Sequence, residues 1–231
     1  MIEFIFMLTH DDATVPNALE VLEEVRDCGL GYIGFKDVGA TPERLTEICE
    51  RAHAHGLEVM LEVVSTSFED ERRSLQAALP IGVDWVLGGN HPEAATEVLA
   101  GADVRYCPFP GTVVGHPSVL EGSIEEIAAD AGRLTSLDGV DGLDLLAYRH
   151  ASADIEELTG AVVAASQGPV IAAGSVVRFD QIELLARAGA WGFTIGSAIF
   201  EGRLPGGPGV APQVESVLEA AAAAGSGRLL P

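Results

Sequence analysis

Short apolar runs alternate along this chain with longer segments in which apolar residues recur every three or four positions. The first pattern is typical of strands buried on both faces, and the second is typical of amphipathic helices. Eight runs are predicted as strands: Ile2–Leu8, Tyr32–Phe35, Glu58–Val64, Trp85–Leu87, Val104–Cys107, Leu143–Ala147, Pro169–Ala173 and Phe193–Ile195. Strands that alternate with helices form parallel sheets, so the pattern predicts an α/β protein, a single (β/α)8 TIM barrel over residues 1–231. The alternative is an open doubly wound sheet, but the first turn lacks the G-x-G-x-x-G sequence typical of that fold.

Helix boundary signals lie between the predicted strands. Predicted helices cover Val15–Cys28, Thr41–His55 and Ser67–Ala78, a fourth begins at Pro92, and the last covers Pro212–Ala224. Ser123 and Glu126 form a predicted capping box for the fifth helix, and Ser152 is the predicted cap of the sixth. The longest irregular stretch is Pro108–Gly122, and a tail from about residue 225 is expected to fray.

The composition limits the class of protein. Hydrophobic residues make up 48% of the chain, yet no apolar run reaches the roughly 20 residues that a membrane span needs. The N-terminus carries Glu3 and no basic region, so it does not resemble a signal peptide, and we expect a cytoplasmic protein. Cys28, Cys49 and Cys107 are too scattered for a disulfide framework or a zinc site.

The charge excludes two kinds of partner. The formal net charge is −22, which repels nucleic acids and anionic membranes. It also repels a phosphorylated substrate at long range, so a site for one must depend on backbone N–H groups and a few local cations. Lys36 is the only lysine among the 13 basic residues.

Two Gly-Ser pairs end the last two predicted strands. Gly174-Ser175 follows strand seven, and Gly196-Ser197 follows strand eight and opens a short predicted helix. Loops at these two places commonly bind phosphate in (β/α)8 barrels, and glycine lets backbone N–H groups approach an anion closely. We therefore predict that Gly174, Ser175, Gly196 and Ser197 bind phosphate, although the pairs could also serve only as tight turns.

This region carries a family resemblance. GAWGFTIGSAI resembles the last strand and phosphate helix of bacterial N-acetylmannosamine-6-phosphate epimerases, and TIGSAIFEGRL is similar to the same place in phosphoribosyl isomerases of histidine biosynthesis. Both belong to the ribulose-phosphate-binding barrels. The resemblance implies the fold and a phosphorylated ligand, and it leaves the reaction open.

The chain departs from these relatives where they carry their catalytic groups. The isomerases place aspartates at the ends of strands one and five, where this chain has Thr9-His10-Asp11 and Tyr106-Cys107-Pro108. The epimerases carry a lysine on strand three and a glutamate after strand seven, where this chain has Glu62 and Ala173-Gly174. Neither activity is transferred. The isomerases also hold a second phosphate; strand three of this chain lacks the glycine pair for it, although Gly88-Gly89 after strand four could serve. GFKDVG on strand two resembles a Schiff-base lyase that makes a furan phosphate in methanogens.

Strand alternation directs two charged side chains into the barrel mouth. Gly34 and Lys36 share one face of strand two, and Met60 and Glu62 share one face of strand three. Lys36 and Glu62 are therefore predicted to act as an acid/base pair, or Lys36 as a Schiff-base amine with Glu62 as its partner. The structural alternative is an ion pair that only fills the top of the barrel.

Further polar residues follow other strands. His150 is a predicted catalytic residue, and the predicted substrate-binding residues are His10, His91, Tyr148 and Arg149. Each histidine could instead cap a loop, and Arg149 could lie on the surface. His10, Glu62, His91 and His150 lack the short spacing of metal ligands, so no metal and no cofactor are predicted.

Together these features predict an enzyme for a small phosphorylated sugar or carbonyl compound. The preferred reaction is isomerisation or epimerisation by proton transfer next to a carbonyl, and the alternative is a Schiff-base aldolase or lyase using Lys36. A phosphometabolite-sensing barrel without catalysis is a third possibility. The sequence gives no oligomeric state, although barrel helices often form homo-oligomers.

Overall fold

The predicted strands form one eight-stranded parallel sheet in the computed structural model, which describes residues 1–65, 67–115 and 117–226. The barrel strands are β1 Glu3–Met7, β2 Tyr32–Lys36, β3 Glu58–Val63, β4 Trp85–Gly88, β5 Arg105–Cys107, β6 Leu143–Leu145, β7 Val170–Ala172 and β8 Gly192–Ile195. Their order in the sheet is β6-β7-β8-β1-β2-β3-β4-β5. The sheet curls so that its two edges meet, where Asp141 N–H donates to Tyr106 O and Asp144 N–H donates to Pro108 O. The fold is therefore the predicted (β/α)8 barrel.

Helices cover the outside of this barrel. They are α1 Ala18–Val25, α2 Pro42–Ala54, α3 Phe68–Ile81, α4 Pro92–Leu99, α5 Ile124–Leu134, α6 Ile155–Ala165, α7 Phe179–Arg187, α8 Ser197–Phe200 and α9 Val210–Ser226. In the described residues, none of these helices combines the length and the apolar character needed to traverse a bilayer.

Side-chain alternation divides the apolar residues between two regions, as the sequence predicts. Ile33 and Phe35 of β2 point outward and join the core between the sheet and the helices. Inside the barrel, one cluster is formed by Ile5, Met7, Met60, Trp85, Leu87, Cys107 and Ile171. The interior is thus filled with side chains below its C-terminal rim, as is general for this fold.

Several predicted boundaries need correction. The first helix begins at Ala18 rather than Val15, because Thr9–His10 and Ala13–Thr14 pair as a small antiparallel hairpin after β1. The stretch predicted as irregular contains a second hairpin, Thr112–Val114 with Val119–Glu121. β6 ends at Leu145 and is followed by a 3-10 helix over Ala147–Arg149.

The ends of three helices also differ from the prediction. The third helix continues to Ile81, past Ala78, with Pro80 in its last turn. α9 extends to Ser226, past the predicted end at Ala224, and the rest of the tail predicted to fray, residues 227–231, lies outside the described part of the chain. The N-cap of α6 is Asp154, whose carboxylate accepts from Glu157 N–H at 2.9 Å, and not Ser152.

The cap of α6 gives a direct test of local structure. Replacing Asp154 with Ala removes the N-cap hydrogen bond and should lower stability by about 1 kcal/mol. For a chain of this length, that loss corresponds to a fall of roughly 2–4 °C in melting temperature. Ser152→Ala is the matched control and should leave the melting temperature unchanged in calorimetry. An equal effect of both substitutions would contradict the assignment of Asp154 as the cap.

Candidate active site

A cavity of about 870 Å³ opens at the end of the barrel where the strands terminate. Loops after β1, β6, β7 and β8 line it, together with the tip of the hairpin after β5, at residues 117–119. In (β/α)8 enzymes the active site lies at this end of the barrel. The cavity is therefore the candidate active site.

Lys36 and Glu62 both lie on the floor of this cavity. Lys36 ends β2, and its side chain is only 4% exposed. Its Nζ lies 3.5 Å from Glu62 Oε1 and donates to Asp12 Oδ1 at 2.6 Å. The two residues pair directly in the sheet register, as the alternation of β2 and β3 predicts. The structure thus brings the predicted pair together at the rim.

The protonation of Lys36 follows from its neighbours. Burial alone would lower the pKa of the amine, but the charge of Glu62 and the hydrogen bond and charge of Asp12 outweigh it. The pKa of Lys36 is therefore raised above its ordinary value. At neutral pH the side chain is an ammonium ion, which donates protons and attracts negative charge, and it is not a free nucleophile.

Asp12 lines the cavity and contacts Lys36, and it is not among the site residues predicted from the sequence. It lies at the tip of the hairpin after β1, where Asp11 and Asp12 adopt φ values of 49° and 58°. Burial opposes its ionisation, but Lys36 and Arg149 lower the pKa of its carboxyl. Asn, Asp and Gly are the residues that most readily adopt the positive φ values of a two-residue hairpin loop, so aspartate suits this turn. Its ion pair with Lys36 accounts for an acid at this position.

Thr14 fixes that hairpin to β2. Its hydroxyl donates to Lys36 O at 2.8 Å and accepts from Lys36 N–H at 3.0 Å, and both groups are buried. Asp12 and Lys36 are consequently held on backbones that are joined to each other. The adjacent Asp11-Asp12 pair in the sequence is the signal that could have pointed to this hairpin.

Arg149 and Tyr148 reach the cavity from the 3-10 helix after β6. Arg149 Nη2 lies 3.4 Å from Asp12 Oδ1, and Nη1 donates to Ser118 O at 3.3 Å. Its Nε is buried without a partner among the described residues. The Tyr148 hydroxyl donates to Gln181 O, and burial together with Asp180 raises the pKa of Tyr148 to about 12. Arg149 is thus a cation of the cavity whose Nε–H group is available to donate a hydrogen bond.

The loop after β7 has an unusual backbone. Gly174 and Ser175 both have positive φ, 76° and 61°. A side chain on Gly174 would collide with Arg149 Nε, so only glycine lets the arginine lie against this loop. Gln181 braces the turn, because its Oε1 accepts from Val177 N–H at 2.7 Å and its Nε2 donates to Ser175 O at 3.3 Å.

The loop after β8 lies on the same cavity wall. Gly196 precedes Ser197, which opens the short helix α8. A side chain on Gly196 would approach Thr9 Oγ1 at 2.6 Å, so its missing Cβ serves the close contact with the segment after β1 rather than the cavity. Ser197 lines the cavity, and the first N–H groups of α8 have no partner within the helix. The two predicted Gly-Ser pairs therefore lie on one wall.

The three predicted site histidines lie outside the cavity lining. His150 has both ring nitrogens occupied by the backbone: Nε2 lies 2.8 Å from Gly122 O, and Nδ1 accepts from Ala153 N–H at 2.9 Å. These contacts are those of a loop cap, and the structure does not place His150 with Lys36 in the cavity lining. The prediction from strand parity failed because β6 ends at Leu145.

His91 and His10 also differ from the prediction. His91 begins α4, with Nδ1 2.8 Å from the buried carboxylate of Glu71, which also faces Gly89. A carboxylate here opposes binding of a second phosphate at Gly88-Gly89, and His91 is not among the residues that line the cavity. His10 lies beside the cavity, with Nε2 3.2 Å from Glu201 Oε1.

One group in the described residues has metal-ligand spacing. The ligand atoms of His10, Asp11 and Glu201 lie within 4.8 Å of one another, and Glu201 also pairs with Arg203. Asp11 and Glu201 are exposed, and His91 and His150 lie elsewhere. This group is not the predicted set, and an exposed acidic cluster alone does not indicate a metal.

A second cluster has the contacts of a catalytic triad: a cysteine, a histidine and an aspartate lie in a row, Cys49, His53 and Asp84. His53 Nε2 lies 2.8 Å from Asp84 Oδ2, and its Nδ1 lies 4.0 Å from Cys49 Sγ. Burial raises the pKa of the Cys49 thiol to about 12, and the thiol donates to Gly82 O. The thiol is thus hydrogen-bonded to the backbone, and its raised pKa disfavours the thiolate form that a nucleophile needs.

Asp144 is the second residue that the sequence reading missed. It lies inside the barrel on β6, is fully buried, and has two side-chain oxygens without a hydrogen-bond partner among the described residues. Its signal in the sequence was a single acid within the apolar run of LDLLA.

Comparisons with known proteins show the fold. No family model and no curated protein matches this chain. Among solved structures, it is similar to orotidine 5'-phosphate decarboxylase from Pyrococcus horikoshii OT3, with 14% identity, a TM-score of 0.68, and 95% of this chain and 99% of that chain covered. It is similar to a protein named KDPGal in its native form, with 18% identity, a TM-score of 0.66, and 96% and 95% covered. A citrate synthase, SbnG, matches with 12% identity, a TM-score of 0.60, and 84% and 85% covered. These identities establish a barrel fold that enzymes share, and no narrower family.

Proposed function

We propose that this chain is an enzyme that binds a small phosphorylated sugar or carbonyl compound and transfers a proton next to its carbonyl group. The observation that carries this proposal is the ion-paired Lys36, held with Glu62 at the floor of the cavity. A carboxylate beside an ammonium ion can catalyse enolisation, because the first accepts the proton and the second stabilises the negative charge on oxygen. Isomerisation and epimerisation both proceed in this way.

In this proposal the phosphate binds at the wall formed by the loops after β7 and β8. Ser175 and Ser197 line this wall, and Arg149 lies against Gly174. Backbone N–H groups at a helix N-terminus and an arginine are the usual partners of a phosphate. Such local contacts suit a chain whose net charge of −22 opposes the approach of an anion.

The roles of the floor residues follow from their charges. Glu62 accepts the proton from the carbon next to the carbonyl, and the electrons move onto the carbonyl oxygen. The Lys36 ammonium lies 3.5 Å from Glu62 and stabilises that developing negative charge. Return of the proton to the same or the neighbouring carbon completes epimerisation or isomerisation.

The Schiff-base reaction is the less favoured chemistry. It begins with attack by a neutral amine, and the raised pKa of Lys36 keeps this amine protonated. Asp12 and Glu62 would both have to give up their ion pairs before attack. The geometry therefore favours Lys36 as an electrophile over Lys36 as a nucleophile.

Phosphate binding is tested by melting temperature. Inorganic phosphate and a panel of triose and pentose phosphates should raise the melting temperature of the wild type, because a ligand that binds only the folded state stabilises it. Ser197→Asp should weaken binding about tenfold or more, since it places a negative charge beside the phosphate. The same charge suits a helix N-terminus, so the variant should fold.

Ser197→Asn is the matched control, because Asn has nearly the same volume as Asp and no charge, and it should retain most of the phosphate effect. Gly196→Asp is a poorer test, because its side chain would meet Thr9 and disturb the fold. If no phosphorylated compound shifts the melting temperature of the wild type, the phosphate assignment is incorrect.

The reaction is tested by exchange of substrate hydrogen with deuterated solvent. Any phosphosugar that binds should incorporate deuterium next to its carbonyl. Glu62→Gln and Lys36→Arg should each slow this exchange about a hundredfold or more, the usual contribution of general acid–base catalysis. Glu201→Gln, at another carboxylate of the cavity lining, is the control and should exchange normally.

Borohydride distinguishes the two chemistries. Lys36 is the only lysine, so reduction in the presence of substrate should give no lysine adduct if the proposal holds. A stable adduct at Lys36 would establish the Schiff-base lyase instead. Full exchange activity in Lys36→Arg would show that the lysine is a structural cation.

A further inference from the structure

Asp144 is a carboxyl group in the barrel interior with no hydrogen-bond partner for either side-chain oxygen among the described residues. Its neighbours on β6, Leu143 and Leu145, pack outward, so the alternation of the strand directs Asp144 inward. Its own N–H closes the barrel by donating to Pro108 O. Its position is therefore fixed by the sheet and does not depend on its side chain.

The surroundings of Asp144 are apolar on one side and charged on the other. Its register partner on β7 is Ile171, which belongs to the interior apolar cluster together with Cys107 of β5. The charged groups that act on Asp144 are Glu62 of β3, Lys36 of β2 and Arg149. The residue thus lies next to the floor of the candidate active site but outside the cavity lining.

Such a site disfavours an ionised carboxylate. A buried carboxylate is tolerated when it accepts several hydrogen bonds, and Asp144 accepts none from the described residues. Burial and the negative charge of Glu62 raise the pKa of Asp144 well above its ordinary value, against the opposing effect of Lys36 and Arg149. A second negative charge near Glu62 in a closed site is unfavourable, which favours the uncharged form of Asp144.

We propose that Asp144 is a positioning residue that stays a neutral carboxylic acid, so that Glu62 is the only one of these two acids that carries a negative charge and can act as the base. This inference rests on the proposed function, because it assigns Asp144 the task of setting the charge of the catalytic floor. With Asp144 neutral, Lys36 and Arg149 balance Asp12 and Glu62. Ionisation of Asp144 would add a further negative charge beside Glu62 and disturb that balance.

The first test compares the melting temperatures of the wild type and Asp144→Asn across pH. A carboxyl whose pKa is raised on folding contributes stability that is fully present below its unfolded pKa of about 3.9 and is lost as pH rises through its folded pKa. The asparagine variant has no such loss. Its melting temperature relative to wild type should rise steadily above about pH 4 and level off above the folded pKa. A difference that does not change with pH would overturn the proposal.

The second test measures the coupling to Glu62 and needs no substrate. In a Glu62→Gln background the negative neighbour is gone, so the pKa of Asp144 falls. The change in melting temperature caused by Asp144→Asn, measured in that background, should therefore level off at a lower pH. Glu201→Gln is the matched control, because Glu201 is not among the groups that act on Asp144, and it should leave the levelling pH in place. The same levelling pH in both backgrounds would show that the charge of Glu62 does not act on Asp144, and would overturn the proposal.

A second variant and an infrared measurement test the proposal even if Asp144→Asn does not fold. If Asp144→Asn does not fold, Asp144→Thr supplies a smaller neutral side chain that suits a strand. The infrared C=O stretching band of a protonated carboxylic acid should be present in the wild type at neutral pH and absent from the folded variant. Absence of that band from the wild type would overturn the proposal, whereas failure of substrate exchange with the band present would contradict only the proposed function.

Discussion

The burial of the Lys36 ammonium is the constraint on which the candidate site depends. A charged amine that is 4% exposed is stable only if carboxylates neutralise it. Glu62 supplies one from the neighbouring strand, at a position that the parallel register fixes. Asp12 supplies the other from a hairpin loop whose positive φ values aspartate adopts more readily than most residues. The lysine is therefore neutralised by one acid that the sheet register positions and one that the hairpin turn positions.

This balance extends beyond the lysine. Arg149 shares the same oxygen of Asp12, so the two cations of the floor are joined through one carboxylate. Arg149 also contacts Ser118 O on the hairpin after β5. The charges of the floor consequently connect the loops after β1, β5 and β6. A substitution of Asp12 would therefore remove its ion pairs with both Lys36 and Arg149.

The acidic composition affects how the proposed phosphate wall could bind an anion. With a net charge of −22, the chain offers few cations to an anionic ligand. The wall after β7 and β8 relies instead on backbone conformation, held by the Gln181 side chain and by glycine at positions where a Cβ would collide. Backbone groups carry no titratable charge, so such a wall would hold a phosphate over a wide pH range.

The sequence by itself determined the barrel and the direction of Lys36 and Glu62, because the period of apolar residues and the alternation of strands are local properties of the chain. It also placed the two Gly-Ser pairs at the ends of the last strands. The tertiary structure alone decided which polar residues meet. Asp12 reaches Lys36 through a hairpin turn, His150 turns away because β6 ends early, and Asp144 is isolated because its neighbours come from other strands. These outcomes depend on tertiary contacts, which the local pattern of apolar and polar residues does not predict.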